Sequence, residues 1–177
     1  PLLSYHEHSS GSRHVELLSL LQEGKNVALI SDAGMPGIAD PGEELIRDWI
    51  NQGGEVSVIP GASALLPGLI VSGLPGRRFA FEGFLPRAGR LRRQVLKSLN
   101  QERRTMIFYE APHRLQDTLA DMLSIFGDRA AAVARELTKM HEEVLRGSLS
   151  LLHQIATERD IKGEIVLIVE GSAAVEP

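Results

Sequence analysis

The sequence predicts an α/β protein built from two lobes. Strand-like and helix-like segments alternate along the whole chain, and several strands are short, continuous apolar runs such as residues 27–30. Apolar strands between amphipathic helices are typical of a parallel sheet that is covered on both faces. The densest cluster of turn residues, at 72–76, divides the alternation into lobes of residues 1–76 and 77–177.

The elements of the first lobe follow from periodicity and from the turn residues at their ends. Amphipathic spacing predicts a helix over residues 12–22, which ends at Gly24. The other predicted elements of this lobe are a strand over 27–30, a helix over 43–52, a strand over 55–59 and a helix from Ser63.

The same alternation resumes in the second lobe. Continuous apolar runs predict its strands, and stretches with helical spacing of apolar residues predict its helices. In chain order these are strand 79–82, helix 90–99, strand 105–109, helix 112–126, strand 130–137, a short strand near Val144, helix 148–157 and strand 164–169.

Composition excludes several classes of protein. The chain has 177 residues, of which 43% are hydrophobic and 24% charged, as in an average globular domain. No apolar run approaches the roughly 18 residues of a membrane span, so we expect no membrane partner. The chain has no Cys, which excludes disulfides, a thiol nucleophile and Cys-based zinc sites, and which fits a cytoplasmic location.

Positive charge is concentrated in one segment of an acidic chain. The net charge is −4, yet nine Arg and Lys residues lie between positions 77 and 104 against only two glutamates. Such asymmetry favours a patch that faces a polyanion, although a solvated helix face has the same composition. Arg outnumbers Lys there, which favours contact with phosphate.

The loop over residues 31–42 is the first candidate ligand site. It follows an apolar strand and precedes a helix, the position at which open parallel sheets bind ligands. Its glycines allow close approach of the backbone, and Asp32 could accept hydrogen bonds from an amine or a hydroxyl. Asp40 and Pro41 have a structural interpretation instead, as the N-cap and first residue of the next helix.

A second loop, over residues 60–64, repeats this arrangement after the next strand. Ser63 is its predicted N-cap. Alone it is a common strand-to-helix turn, but together with the loop over 31–42 it suggests two walls of one pocket.

Polar side chains also cluster after two strands of the second lobe. Glu110 and His113 could act as acid or base, and Arg114 could hold a phosphate. Arg135 and Lys139 belong to the polar stretch of residues 135–139 that ends the next strand. Ordinary helix-start chemistry and structural salt bridges are the alternatives for these two groups.

His6 and His8 raise the question of a metal site, since alternate residues of an extended segment share a face. No third ligand is evident, so the pattern favours a loop at the edge of a site and we predict no metal.

Six motifs in order resemble one known family. The chain is similar to the ribosomal RNA small subunit methyltransferase I family, a branch of the tetrapyrrole methylase superfamily. The motifs are Ser31-Asp-Ala-Gly34 with Asp40-Pro-Gly42, Pro60-Gly-Ala-Ser-Ala64, Phe81-Glu-Gly-Phe-Leu-Pro86, Phe108-Tyr-Glu110 with His113-Arg114, Arg135-Glu-Leu-Thr-Lys139, and Lys162-Gly-Glu164.

The resemblance implies a two-lobed α/β homodimer, with a parallel sheet in the first lobe and a mixed sheet in the second. It implies that S-adenosylmethionine binds in the cleft between the lobes and that a cytidine ribose of 16S ribosomal RNA is methylated on its 2′-oxygen, in the assembled subunit. By position, the resemblance implies cofactor contacts from Asp32, Ala33, Gly34, Ile38, Ala62, Ser63, Leu137, Gly163 and Glu164.

Methyl transfer requires alignment of the ribose hydroxyl and a base that removes its proton. Our candidates for that base are Glu110, His113 and Lys139, taken from the polar strand ends. The candidate RNA-binding residues are Arg87, Arg90, Arg92, Arg93, Arg114 and Arg135.

The sequence departs from the family pattern in two places. Met35 stands where the family usually has Thr. Family members also begin with a strand and a Gly/Pro loop upstream of the segment that matches Pro1, so we expect a fragment with weak or no cofactor binding. Two other functions stay open: methylation of a small tetrapyrrole, and RNA binding or assembly without catalysis.

Overall fold

The protein is described by a computed structural model that covers residues 2–6 and 11–173. The chain divides into two compact units, Pro1–Ser63 and Ala64–Pro177. The sequence predicted a boundary between residues 76 and 77, whereas the two units divide between residues 63 and 64. The helix that lies between these two boundaries packs on the sheet of the second unit. No helix in the described part of the chain combines the length and apolarity needed to cross a membrane.

The first unit contains two helices, α1 (Gly11–Gln22) and α2 (Glu43–Asn51), which pack together. Leu17 of α1 and Leu45 of α2 are buried. After α1 the amides of Gly24 and Lys25 bond back to carbonyls of the last helical turn, and Gly24 has a φ of 78°, so the predicted helix end is confirmed.

Segments 27–30 and 55–59 have no regular secondary structure and form no strand ladder among the described residues. The parallel sheet that the sequence predicted for the first lobe is therefore absent from the described residues. The two strands predicted there were therefore wrong for the described residues, because an apolar run does not make a strand without a hydrogen-bonded neighbour. Val58 and Ile59 are consequently exposed.

Two predicted helix caps were wrong. Helix α2 begins at Glu43 after Gly42, without a side-chain cap, rather than at Asp40 and Pro41. Ala39 and Gly42 have positive φ values of 52° and 131°, so the chain is still turning at Asp40. In the second unit α3 (Leu65–Ser72) follows Ala64, and Ser63 provides no cap.

The second unit is a five-stranded mixed sheet with helices on both faces. The remaining elements are β1 (Phe79–Phe84), α4 (Gly89–Leu99), β2 (Thr105–Glu110), a 3₁₀ turn (Pro112–Arg114), α5 (Leu115–Phe126), β3 (Ala130–Arg135), β4 (Glu143–Ser148), α6 (Leu149–Glu158) and β5 (Ile165–Val169). The strand order is β1-β2-β5-β3-β4; β1 and β2 are parallel, and β5 runs antiparallel to both β2 and β3.

The sheet buries a different set of side chains on each face. Phe108, Val133 and Leu167 point to the face covered by α4, α5 and α6, where they form the larger core. Alternate residues, including Ile107 and Ile168, point to the face covered by α3. This alternation decides which polar residues at the strand ends are buried.

Candidate functional site

The carboxyl ends of β1, β2 and β3 meet the amino ends of β4 and β5 at one edge of the sheet. The register pairs Glu110 with Ile165, Ile165 with Arg135 and Arg135 with Glu143. Both polar motifs that the sequence singled out in the second lobe therefore lie at the same edge. Their side chains nevertheless have different environments.

Glu110 is buried beneath α5. Its side chain points to the face covered by three helices, where the Thr118 hydroxyl donates to it at 2.6 Å and the Ala111 amide donates at 2.8 Å. Arg114 forms an ion pair with it at 3.3 Å. Only 1% of the Glu110 side chain is exposed, so a substrate has no access to the carboxyl group in this structure.

The Arg114 side chain is also held by contacts within the second unit. Its guanidinium donates to the carbonyls of Leu85 and Pro86, at 2.8 and 3.1 Å, and so fixes the loop between β1 and α4. Glu110 and Arg114 were expected to act on substrate. Their contacts support positioning roles instead, since together they connect β2, α5 and that loop.

His113 has a different environment on the 3₁₀ turn. Its side chain is exposed, two residues before the buried start of α5. Of the three candidate bases, His113 and Lys139 are exposed to a substrate, whereas Glu110 is buried.

A strained turn follows β3. Glu136 and Thr138 have positive φ values of 51° and 65°, which ends the strand at Arg135 rather than at the predicted residue 137. The Glu136 carboxylate accepts from the amide of Glu164 at 2.8 Å and from Lys139 at 3.1 Å. This turn is thereby fastened to the loop before β5.

The approach of the two loops depends on Gly163. Its φ is 94°, and a Cβ at this position would lie within 2.5 Å of the Glu136 carboxylate. Leu137, between the two strained residues, packs against the smaller core on the α3 face. The structure therefore brings Leu137, Lys139, Gly163 and Glu164 together as neighbours.

Lys139 forms salt bridges with Glu164 at 3.0 Å and with Glu136 at 3.1 Å. Hydrogen bonding to Glu164 and then to Glu136 raises the pKa of Lys139 above its ordinary value. The amine is accordingly protonated near neutral pH, and a protonated amine cannot accept a proton from a ribose hydroxyl. The chemistry of Lys139 here is that of a cation.

Arg135 is also engaged within the unit. Its Nε donates to the Lys162 carbonyl at 2.8 Å, and its guanidinium pairs with Glu143 at 3.4 Å. Arg159 pairs with the same glutamate and is the larger cause of the lowered pKa of Glu143. These groups line an open cleft of about 530 Å³ in which positive and negative side chains neutralise one another. Because these contacts occupy the Nε and the guanidinium of Arg135, few of its donors remain for RNA.

The basic segment on and before α4 divides into exposed and buried members. Arg87 and Arg90 are exposed and have no ion pair among the described residues. Arg93 is exposed and touches Asp121 at 3.4 Å. Arg92 is different: its guanidinium is buried and pairs with Asp121 at 2.7 Å. Arg92 therefore fastens α4 to α5 rather than facing an RNA.

The sequence contained a signal for the burial of Arg92. Val95, Leu96 and Leu99 follow it at spacings of three, four and seven residues, which places all four side chains on one face of α4. That face packs on the core, so an Arg on it needs a buried partner.

In the first unit the two candidate ligand loops lie side by side. A Cβ on Gly34 would lie 3.5 Å from the Ala62 carbonyl, and the Gly61 amide donates to the Met35 sulfur at 3.2 Å. The Ser31 hydroxyl donates to the Gly34 carbonyl at 2.8 Å and tightens the turn. The departure at Met35 thus provides a contact between the loops.

Both loops present groups to solvent. Asp32, Ala33, Gly34, Ile38 and Ala62 are exposed, and Ser63 is half-buried. The surface formed by these residues has a carboxylate, several backbone amides and one exposed aliphatic side chain.

The histidine cluster near the start of the first unit has a structural role at His14. The ring of His14 hydrogen-bonds the Tyr5 hydroxyl and the Asp48 carboxylate, each at 3.0 Å. Burial, followed by the charges of Glu44 and Asp48, raises the pKa of Tyr5. His8 lies outside the described residues.

Sequence reasoning missed an aromatic cluster at the same edge of the sheet. Tyr109 points to the face opposite Glu110, and its ring contacts Phe81 and Phe84 at centroid distances of 4.9 and 5.6 Å. Phe81 and Phe84 both belong to the family motif over residues 81–86. Because they are three residues apart, regular alternation would put them on opposite faces.

Comparison with known proteins places the chain in a family. A family model described as Tetrapyrrole (Corrin/Porphyrin) Methylases matches residues 6–152. The ribosomal RNA small subunit methyltransferase I of Thermotoga maritima is 49% identical over 171 residues, which cover 97% of this chain and 77% of that protein. The protein of the same name from Bacillus subtilis is 49% identical over 172 residues, covering 97% of this chain and 59% of its own length.

The chain spans about three fifths of the length of the B. subtilis relative and of a relative of the same name from Halalkalibacterium halodurans.

Solved structures share the fold. The methyltransferase CobJ has a TM-score of 0.65 at 21% identity, covering 94% of this chain and 73% of that chain. Uroporphyrin-III C-methyl transferase from Thermus thermophilus, complexed with S-adenyl homocysteine, has a TM-score of 0.60 at 16% identity, covering 91% of this chain and 73% of that chain.

The family model covers most of the sequence, and the fold agrees with it. The chain belongs to the tetrapyrrole methylase family, and it is about half identical to members named ribosomal RNA small subunit methyltransferase I.

Proposed function

We propose that the gene product containing this chain transfers a methyl group from S-adenosylmethionine to the 2′-hydroxyl of a cytidine in 16S ribosomal RNA. The observation that carries the proposal is the 49% identity, over nearly the whole chain, to relatives named for methylation of small-subunit ribosomal RNA. The proposal includes the assembled small subunit as substrate, a homodimer and a cytoplasmic location.

The loops of the first unit fit the proposed cofactor. The two loops are joined by the hydrogen bond from the Gly61 amide to the Met35 sulfur, and the exposed backbone there offers donors and acceptors for a polar ligand. Asp32 adds a carboxylate that suits an ammonium or a ribose hydroxyl, and Ile38 adds apolar surface. In the second unit Leu137, Gly163 and Glu164 remain proposed cofactor contacts.

The cofactor would supply an electrophilic methyl group. The chain would have to hold the ribose hydroxyl in line with that group and accept its proton. We propose His113 for the proton, because it is exposed while Glu110 is buried and Lys139 is protonated. Arg87, Arg90 and Arg93 are the proposed phosphate contacts, because their guanidinium groups are exposed.

The test is methyl transfer by the full-length gene product, with radiolabelled S-adenosylmethionine and either small ribosomal subunits or uroporphyrinogen III. We expect label in the subunits and, after nuclease digestion, in 2′-O-methylcytidine. Label in uroporphyrinogen alone would favour the tetrapyrrole alternative, and salt-sensitive RNA binding without transfer would favour an assembly protein.

Two substitutions test the assigned residues. His113→Ala should lower turnover by about 10²–10⁴-fold if the imidazole takes the proton, whereas His141→Ala, at another exposed histidine, should not. Asp32→Asn should weaken cofactor binding in calorimetry with little effect on RNA affinity. Unchanged turnover in His113→Ala would leave positioning as the source of catalysis.

A further inference from the structure

The aromatic cluster at the end of β1 and β2 results from a bulge. The register pairs Phe81 with Ile107 and Gly83 with Phe108, so Glu82 is an extra residue in β1, and Gly83 has a φ of 63°. The extra residue shifts the alternation by one position. Phe84 consequently lies on the same face as Phe81, against Tyr109.

The outer member of this cluster faces solvent. Phe84 is 55% exposed, whereas Phe81 and Tyr109 are partly buried and support it from one side. The exposed part of Phe84 gains little from folding, because only full burial of a phenylalanine is worth about 1.5–3 kcal/mol. The bulge therefore creates an aromatic surface that the described residues of the second unit leave open.

The surroundings of this surface are cationic. Arg87 follows Phe84 by three residues, which limits their Cα separation to about 11 Å, and Arg90 follows at the start of α4. The intervening loop is held in place by the hydrogen bonds from Arg114 to the Leu85 and Pro86 carbonyls. The backbone between Phe84 and Arg87 is thus held by buried structure, while the Arg87 side chain is exposed.

We propose that Phe84 forms a platform on which one unpaired base of the substrate RNA stacks, supported by the Tyr109 ring that lies against it at a tilt of 59°, while Arg87 and Arg90 contact the adjoining phosphates. Aromatic side chains beside a positive groove are the usual means of binding single-stranded nucleic acid, and a protein partner would not require the unpaired arginines. The inference rests on the proposed function, since it names how the RNA is held.

The test measures binding of a fluorescein-labelled single-stranded RNA octamer to the full-length gene product, across a salt series. Phe84→Leu retains apolar volume but removes the aromatic face, and should weaken binding by about 10-fold or more. Phe84→Trp should restore affinity to within about twofold. Leu91→Ala is the matched control, because Leu91 is 51% exposed on the neighbouring helix.

The salt series separates stacking from charge. Phe84→Leu should leave the slope of log affinity against log salt unchanged, whereas Arg87→Gln should reduce it by about 0.7, the value for one phosphate contact on a single strand. An octamer that carries a run of abasic sites should bind wild type and Phe84→Leu equally, because it offers no base to stack.

Three results would overturn the platform: equal affinities for Phe84→Leu and Leu91→Ala, no RNA binding by the wild type, or a changed oligomeric state of Phe84→Leu in sedimentation with unchanged RNA affinity. Its failure is distinguishable from failure of the proposed function. If the wild type methylates subunits while Phe84→Leu binds RNA normally, only the platform is wrong. If RNA binding depends on Phe84 but no methyl group is transferred, only the methylation is wrong.

Discussion

Replacing Thr118 with Val tests whether Glu110 is a structural anchor. The Thr118 hydroxyl is fully buried and donates to the Glu110 carboxyl group at 2.6 Å. Valine has nearly the same shape but no donor, so the variant leaves a buried acceptor with one partner fewer. Hydrogen bonds to charged groups contribute about 1.5–3 kcal/mol, and we therefore expect a loss of about 2 kcal/mol in the free energy of unfolding of the second unit.

The assay is urea unfolding monitored by circular dichroism. With a slope of about 2 kcal/mol per molar urea, the midpoint should fall by about 1 M, and the melting temperature should fall by about 8 °C. Thr157→Val is the control, because Thr157 is an exposed residue of α6 and its replacement should change the free energy by less than about 0.5 kcal/mol. Equal stabilities of the two variants would refute the anchoring role.

Glu110→Gln extends the same reasoning to function. If Glu110 only positions other groups, the variant should have a lower melting temperature. Its turnover, assayed well below that melting temperature, should fall by less than about 10-fold, whereas loss of a general base typically reduces turnover by about 10²–10⁴-fold. A fall of that larger size without loss of stability would restore Glu110 as the base.

Two further predictions concern the turns and the charges of the second unit. Gly163→Ala should lower the free energy of unfolding by about 1–3 kcal/mol, because Ala at a φ of 94° is strained and its Cβ would displace Glu136 from the Glu164 amide; unchanged urea stability would contradict this. Hydrogen bonds from Arg104 lower the pKa of Glu102 from its ordinary 4.5 to about 2, so this carboxylate stabilises the fold above pH 4.5 and progressively less as the pH falls towards 2. Glu102→Gln should therefore lose less stability than wild type over that range in acid unfolding, and parallel curves for the two proteins would count against the ion pair.

The sequence was most informative where local spacing decides the outcome. Apolar residues at helical intervals predicted α1 and α4 to within one residue of their observed starts. The glycines and small residues of the loops over 31–42 and 60–64 predicted that these segments would lie near each other, and contacts at Gly34 and Gly61 now join them. In each case a few neighbouring residues contain the signal.

The sequence was less informative where one position decides which way a side chain points. Glu110 and Tyr109 are adjacent, and both are plausible site residues by type, but strand alternation sends Glu110 into the core with Thr118 and Tyr109 to the opposite face. Met106 and Phe108, four and two residues earlier, already share the buried face with Glu110. The spacing shows that the three side chains share a face of β2. Only the structure shows that α5 covers this face and buries it.

By itself the sequence determined the α/β class, the order of the elements in the second unit and the loops that carry the family motifs. Periodicity, apolar runs and turn residues are local properties, so a short stretch of sequence contains them. Tertiary structure alone decided that the buried partner of Arg92 is Asp121, that Glu136 is bound to the loop at Gly163, and that a bulge turns Phe84 towards Tyr109. Each of these depends on which segments become neighbours across the sheet. Contacts between residues far apart in sequence depend on how the whole unit packs, so no local sequence pattern specifies which residues will be in contact.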